Sequence, residues 1–154
     1  MIRKVPLVIA IVACIFHSCK PADSKPGNMA DDVCNCFQGI VANLSAETKE
    51  MVIGAAHTNE PREYITKYLG SLNEEKKQQV GREMRASRVD EKTNPGTMRC
   101  LEKVELKYTE QFKPDETESV WKMIKELEKK KECTIAASML RLGLVIQGKP
   151  EQEK

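Results

Sequence analysis

Two cysteines stand two residues apart in DDVCNCFQGIV, residues 31–41, and thiols so placed admit three chemistries. A thiol of lowered pKa can take part in redox exchange, thiolates can hold a soft ion such as Cu(I) or zinc, and each cysteine can instead enter a disulfide. The surrounding pattern separates them. Val33, Phe37, Ile40, Val41 and Leu44 recur at helical spacing and form one apolar stripe. At about 100° per residue, Cys34 and Cys36 lie about 200° apart, on opposite flanks of that stripe. A metal needs ligands that converge, and these diverge. Cys34 also falls beyond the first turn, and Asp31 and Asp32 add negative charge beside it, so a helix N-terminus does little to acidify the thiol. Neither cysteine can reach the other without breaking the helix.

Other groups capable of chemistry are sparse. His57 follows Ala55-Ala56 at an expected helix end, where an imidazole suits the dipole; a ligand or proton-transfer role is the alternative. The Glu and Lys residues of WKMIKELEKKKE lie at the spacing of solvated helical ion pairs. No serine sits in a nucleophile-elbow sequence, no C-x-x-C-H run offers haem attachment, and no Gly-rich loop follows a strand. The side chains therefore point to a non-enzymatic protein with no cofactor, no metal ligands and no catalytic residues.

The first twenty residues carry an address. Arg3 and Lys4 precede an apolar run from Val5 to Phe16, broken only by Pro6 and followed by His17, Ser18, Cys19 and the polar KPADSKPGN. The run is too short for a spanning helix, which needs about 20 apolar residues, and has the layout of an export signal. Basic residues, a short apolar core, a small residue, a cysteine and a polar tether together resemble the signal of bacterial lipoproteins. Ser18-Cys19 matches the cleavage pair, with Phe16 where that family prefers Leu, so the stretch is closer to the looser form found in Bacteroidota. Ile11-Val12-Ala13-Cys14 fits the strict pattern, but cleavage there would leave Ile15-Phe16 on the tether. The resemblance implies removal of residues 1–18, acylation of Cys19 with palmitate-type chains, and a flexible tether over 19–28. Two or three acyl chains anchor durably, at about 0.8 kcal/mol per buried CH₂.

Charge follows from the same division. Arg3 and Lys4 leave with the signal and no acid does, so the 25 basic side chains fall to 23, equal to the acids. A near-neutral domain lacks the clustered positive field that nucleic acid requires. Lys77, Arg82, Arg85 and Arg88 do give the expected fourth helix a basic side, either a solvated face or a contact for an anionic lipid surface or acidic partner.

Helical periodicity continues through the remaining chain. Asn28 can cap the first helix and Ser45 a second through Met51, Val52, Ala55 and Ala56. After a break at Thr58–Pro61, Tyr64, Ile65, Tyr68, Leu69 and Leu72 line a third. Ser71 with Glu74 is spaced as a capping box, with Asn73 competing, ahead of a surface helix holding only Val80 and Met84 as apolar contacts. Residues 89–96 form a loop; Thr97 can start the next helix, and Asp115 with Glu118 can open another through Val120, Trp121, Ile124 and Leu127. The last segment, CTIAASMLRLGLVIQ, is apolar nearly all round and ends at Gly148 and Pro150. It can be a central helix between two layers or the wall of an apolar cavity; Met51, Met123 and Met139 can line such a cavity, and core packing uses them just as well. No stretch alternates with period two.

The expectation is an all-α bundle of five to seven short helices over 29–148, with a polar tail at 149–154. With Cys14 removed and Cys19 acylated, Cys34, Cys36, Cys100 and Cys133 remain, an even number that implies two disulfides in an exported domain. One of Cys34 and Cys36 joins Cys100 and the other Cys133; the spacing does not choose which. The C-x-C opening and the signal together resemble small cysteine-containing lipoproteins of Bacteroidota, a likeness that carries no active site. The function expected first is a membrane-anchored interaction or structural module of the cell envelope with a protein partner. A helical carrier of a small apolar ligand and a thiol or metal protein using Cys34 and Cys36 are the alternatives.

Overall fold

A computed structural model describes residues 28–113, 116–149 and 151. Within them the chain forms seven α-helices and one 3-10 turn, with no strand among the described residues. The expected export signal, Cys19 and most of the expected tether lie outside the described residues, as do Asp115, Pro150 and the last three residues.

Capping explains where the first helices begin. The Asn28 side chain accepts from the Ala30 N–H at the start of α1 (Met29–Ala42), whose first turn carries Asp31 and Asp32. Ser45 Oγ accepts from the Thr48 N–H to open α2 (Ala46–Ala56). Pro61 opens α3 (Pro61–Ser71), where a missing N–H costs nothing. Asn73, rather than Ser71, caps α4 (Glu74–Ala86) by accepting from the Lys76 N–H.

Two starts differ from the sequence reading. Helix α5 (Pro95–Lys107) begins at Pro95, two residues before Thr97, because proline supplies the first-turn φ and Asn94 flanks it; Thr97 is buried in the first turn. Helix α6 (Thr117–Glu128) is flanked by Glu116, which makes no side-chain cap. A 3-10 turn, Lys131–Cys133, leads into α7 (Thr134–Ile146). Gly148 at φ 72° ends α7: its N–H donates to the Val145 carbonyl and that of Lys149 to Leu144, which satisfies carbonyls a helix end would leave open.

Helix α7 is the hub, packed most extensively on α2 and α6 and touching α1 and α3 as well. Helix α1 lies across α5 and α6, and α2 carries α3 and α4 on its flanks. The main core joins Val33, Phe37 and Ile40 of α1 to Val104, Met123, Leu127 and Ala136. Full burial of a side chain such as Phe37 stabilises by roughly 1.5–3 kcal/mol. A second cluster seats Leu142 against Ala55 and Ala56, with Tyr64 and Ile65 from α3 beside it.

Two disulfides fasten this arrangement. Cys34 bonds Cys133 and Cys36 bonds Cys100, with Cα atoms 5.4 and 5.5 Å apart. The 200° divergence on α1 thus reaches two different neighbours, the entry to α7 and the helix α5.

Candidate functional site

The four cysteine sulfurs are covalently paired, so in this form they offer no thiolate for redox attack or metal binding. No group of three or more His, Cys, Asp or Glu side chains converges among the described residues. His57 sits at the C-cap of α2, where its Nδ1 donates to the Ile53 carbonyl at 2.9 Å and Nε2 lies 3.7 Å from Glu128. It ties the ends of α2 and α6.

A feature with room for a ligand lies beside α7. Met139, Leu140, Gly143, Leu144 and Ile146 form one wall of a partly open cleft of about 810 Å³. Phe37 of α1 and Val52 of α2 close its floor, and Met84, Val89, Leu101 and Val120 supply the opposite side. Helix α7 is apolar on so many sides for this reason: α2 and α3 cover one flank, α1 and α6 another, and the remaining flank faces the cleft.

Of the three methionines able to line such a wall or to pack the core, Met139 is at the wall. Met51 and Met123 are not: they are 1% and 3% exposed, inside the packed core. Met84 takes the place of the missing pair. Gly143 matters because a Cβ built there meets no atom within 4 Å; the glycine leaves open space rather than a close approach.

The mouth is set by the segment after α4. Asn94 Nδ2 donates to the carbonyls of Ala86 and Arg88, each at 2.7 Å, and folds the loop back on the helix end. Asp90 accepts from the N–H groups of Lys92 at 3.0 Å and Thr93 at 2.7 Å. Chiefly through Thr93, its carboxyl is held below the ordinary range. These bonds place Val89 against the core and bring Arg88 and Asp90 to the cleft, their side chains 3.4 Å apart. Arg88 therefore belongs to the loop, beyond the Ser87 C-cap, and not to the basic side of α4.

No family model, curated protein or solved structure matches this chain. What it can do must come from its own geometry.

Two polar clusters hold the walls. Glu83 Oε2 on α4 accepts from the Ser45 N–H at 2.8 Å, the Ser45 hydroxyl at 2.7 Å and the Thr48 hydroxyl at 2.6 Å; Oε1 accepts from Gln79 at 2.8 Å. Burial alone would raise this carboxyl, but the donors from Thr48, Ser45 and Gln79 outweigh it and bring the pKa down to about 2. The carboxylate thus pins α4 to the N-terminus of α2. At the other end, Trp121 Nε1 donates to the Lys149 carbonyl at 3.2 Å, and Arg141 stacks on the Trp121 ring at 5.0 Å. Arg141 pairs with Glu128 at 3.5 Å and Glu151 at 2.9 Å, while Lys125 also pairs with Glu151. Lys149 and Glu151, read from sequence as part of a polar tail, are fastened to the bundle.

Sequence reasoning missed Met84, Val89, Leu101, Val120 and Gly143 as lining residues. A signal existed in Gly143, a helix-weakening residue inside an otherwise apolar helical run. Val89 gave none, since an isolated valine in a polar loop is compatible with exposure.

Proposed function

We propose that the chain is a lipid-anchored binding module of the bacterial cell envelope, held to a membrane through acyl chains on Cys19, whose helical domain carries a small apolar ligand in the cleft beside α7. The observation supporting the binding role is the cleft itself. Its volume of about 810 Å³ falls within the roughly 300–1,000 Å³ typical of small-molecule pockets, and its lining is predominantly apolar. Met84 and Met139 add adaptable surface. The pinned helices and two disulfides preform this space, which reduces the ordering cost of binding.

The address supports the membrane setting. Among the described residues no helix is long and apolar enough to cross a membrane, so attachment rests on the lipoprotein-like N-terminus. A second reading, an interaction module for an envelope protein, draws on Ile146, 41% exposed at the cleft edge, where it could meet an apolar side chain of a partner.

Photolabelling tests the binding role on the full chain. A long-chain fatty alcohol bearing a terminal diazirine should label peptides containing Val89, Leu101 and Met139–Ile146. Labelling confined to peptides outside the cleft would contradict it. Intact mass of the same preparation tests the anchor: loss of residues 1–18 with gain of acyl mass is expected, and an unprocessed chain would remove the lipoprotein assignment.

A further inference from the structure

Charge at the mouth of the cleft points to the kind of molecule that fits. Among the described residues that line it, Arg88 and Asp90 are the two charged ones, and their charges are committed differently. Asp90 is engaged on both oxygens, one accepting the Lys92 and Thr93 N–H groups and the other facing Arg88 Nε at 3.4 Å. Arg88 is engaged through Nε alone; among the described residues its two terminal amino groups take no ion pair, and its side chain is 72% exposed. Arg85 lies three residues back and Arg82 six, both exposed and without an ion pair among the described residues. The neighbouring acid on that stretch, Glu83, is already occupied by four donors from Ser45, Thr48 and Gln79. This edge therefore keeps unspent positive charge next to an apolar cleft, and guanidinium donors match carboxylate and phosphate oxygens in a fixed fork.

We infer that the ligand is a single-chain amphiphile with an anionic head, its alkyl chain along α7 and its carboxylate or phosphate monoester paired with Arg88. This rests on the cleft being a ligand site. Among the described residues, aliphatic and methionine side chains dominate the lining, Phe37 is its one aromatic residue, and its uncharged polar residues are Gln147 and Ser87, whose hydroxyl is turned to the Met84 carbonyl at 3.0 Å. Such walls suit a flexible chain and provide little for the edges of a flat polar molecule.

The test compares diazirine probes of equal chain length on the full chain: a fatty acid, a monoalkyl phosphate, a fatty alcohol and an alkyl trimethylammonium. Half-maximal labelling of the cleft peptides should need roughly fivefold less of an anionic probe than of the alcohol, the scale of one exposed ion pair. The cationic probe should label no better than the alcohol. Whichever anion labels at lower concentration distinguishes a free fatty acid from a lysophospholipid-like head. Arg88→Gln should bring the anions to parity with the alcohol, and Arg88→Lys should restore part of the preference, each read as the ratio of anion to alcohol labelling within the same chain. Equal labelling by acid, phosphate and alcohol in the parent chain would overturn the head-group assignment while sparing the cleft. Failure of every probe to label it would overturn the binding role as well.

Discussion

The Thr48 hydroxyl donates to the Glu83 carboxylate at 2.6 Å, joining α2 to α4 across 35 residues of chain. Charge-assisted bonds of this kind are about twice as strong as neutral ones. Glu83→Gln keeps the size but removes the charge, and should destabilise the domain by about 1–3 kcal/mol at neutral pH. The pH profile gives a sharper readout. Glu83 has a folded pKa of about 2 against an ordinary 4.5, so its contribution is complete above about 5 and is lost as pH falls through 2. Urea unfolding between pH 5 and 2 should therefore show a shallower acid slope in the variant than in the parent.

The two disulfides close loops of 99 and 64 residues. The chain-entropy model assigns such loops about 4–5 kcal/mol each. Replacing Cys36 and Cys100 together by serine should lower stability by up to that amount while the Cys34–Cys133 bridge persists. Access should order their reduction. Cys133 is 1% exposed and Cys34 6%, whereas Cys100 is half-buried, so limiting reductant followed by alkylation should mark Cys36 and Cys100 first. Mass mapping of the alkylated peptides checks this.

Gly54 marks a close approach between α2 and α3. A Cβ there would overlap the Tyr64 hydroxyl oxygen and the ring carbon that bears it. Gly54→Ala should cost about 1–3 kcal/mol by overpacking, despite the better helix propensity of alanine. Combined with Tyr64→Ala, the same substitution should cost much less, and thermal melts of the four chains measure the coupling.

Arg141, 18% exposed, joins Glu128, Glu151 and the Trp121 ring. Arg141→Ala should cost about 1–3 kcal/mol, since it leaves the carboxylates without their shared cation. Release of the Lys149 carbonyl from Trp121 should accompany it and shift the tryptophan emission to longer wavelength. Arg141→Lys should recover only part of the loss, because an ammonium lacks the planar fork.

Helix existence and the cross-linking scheme could be read from sequence because both depend on local periodicity. The stripe from Val33 to Leu44 defined α1, and the angular separation of Cys34 and Cys36 required two separate partners. Choosing Cys133 for Cys34 needed the placement of α5 and α7 around α1, which no local pattern encodes. Helix starts failed where proline outweighed a side-chain cap, as at Pro95 over Thr97. The cleft was half legible: α7 showed too much apolar surface for an ordinary amphipathic helix. The opposite wall depends on Asn94 folding the loop back, a tertiary event between Asn94 and the carbonyls of Ala86 and Arg88. For Met51, Met123 and Met139 the sequence left core and cavity open, because a methionine on an apolar face packs a core or lines a cavity equally well; the structure puts the first two in the core.

Ligand carriage in the cleft is tested most directly by filling it. Gly143 lines the cleft and has no atom within 4 Å of a built Cβ, so Gly143→Leu should fold and occupy the space. Gly70 of α3 is equally open but lies outside the cleft lining, so Gly70→Leu serves as the control. The measurement is the yield of diazirine fatty-alcohol adducts on the Met139–Ile146 peptide, with melting temperatures recorded for all three chains. Near-complete loss of that adduct is expected in Gly143→Leu, with parent-level yield in Gly70→Leu. Undiminished labelling in a folded Gly143→Leu chain would contradict it.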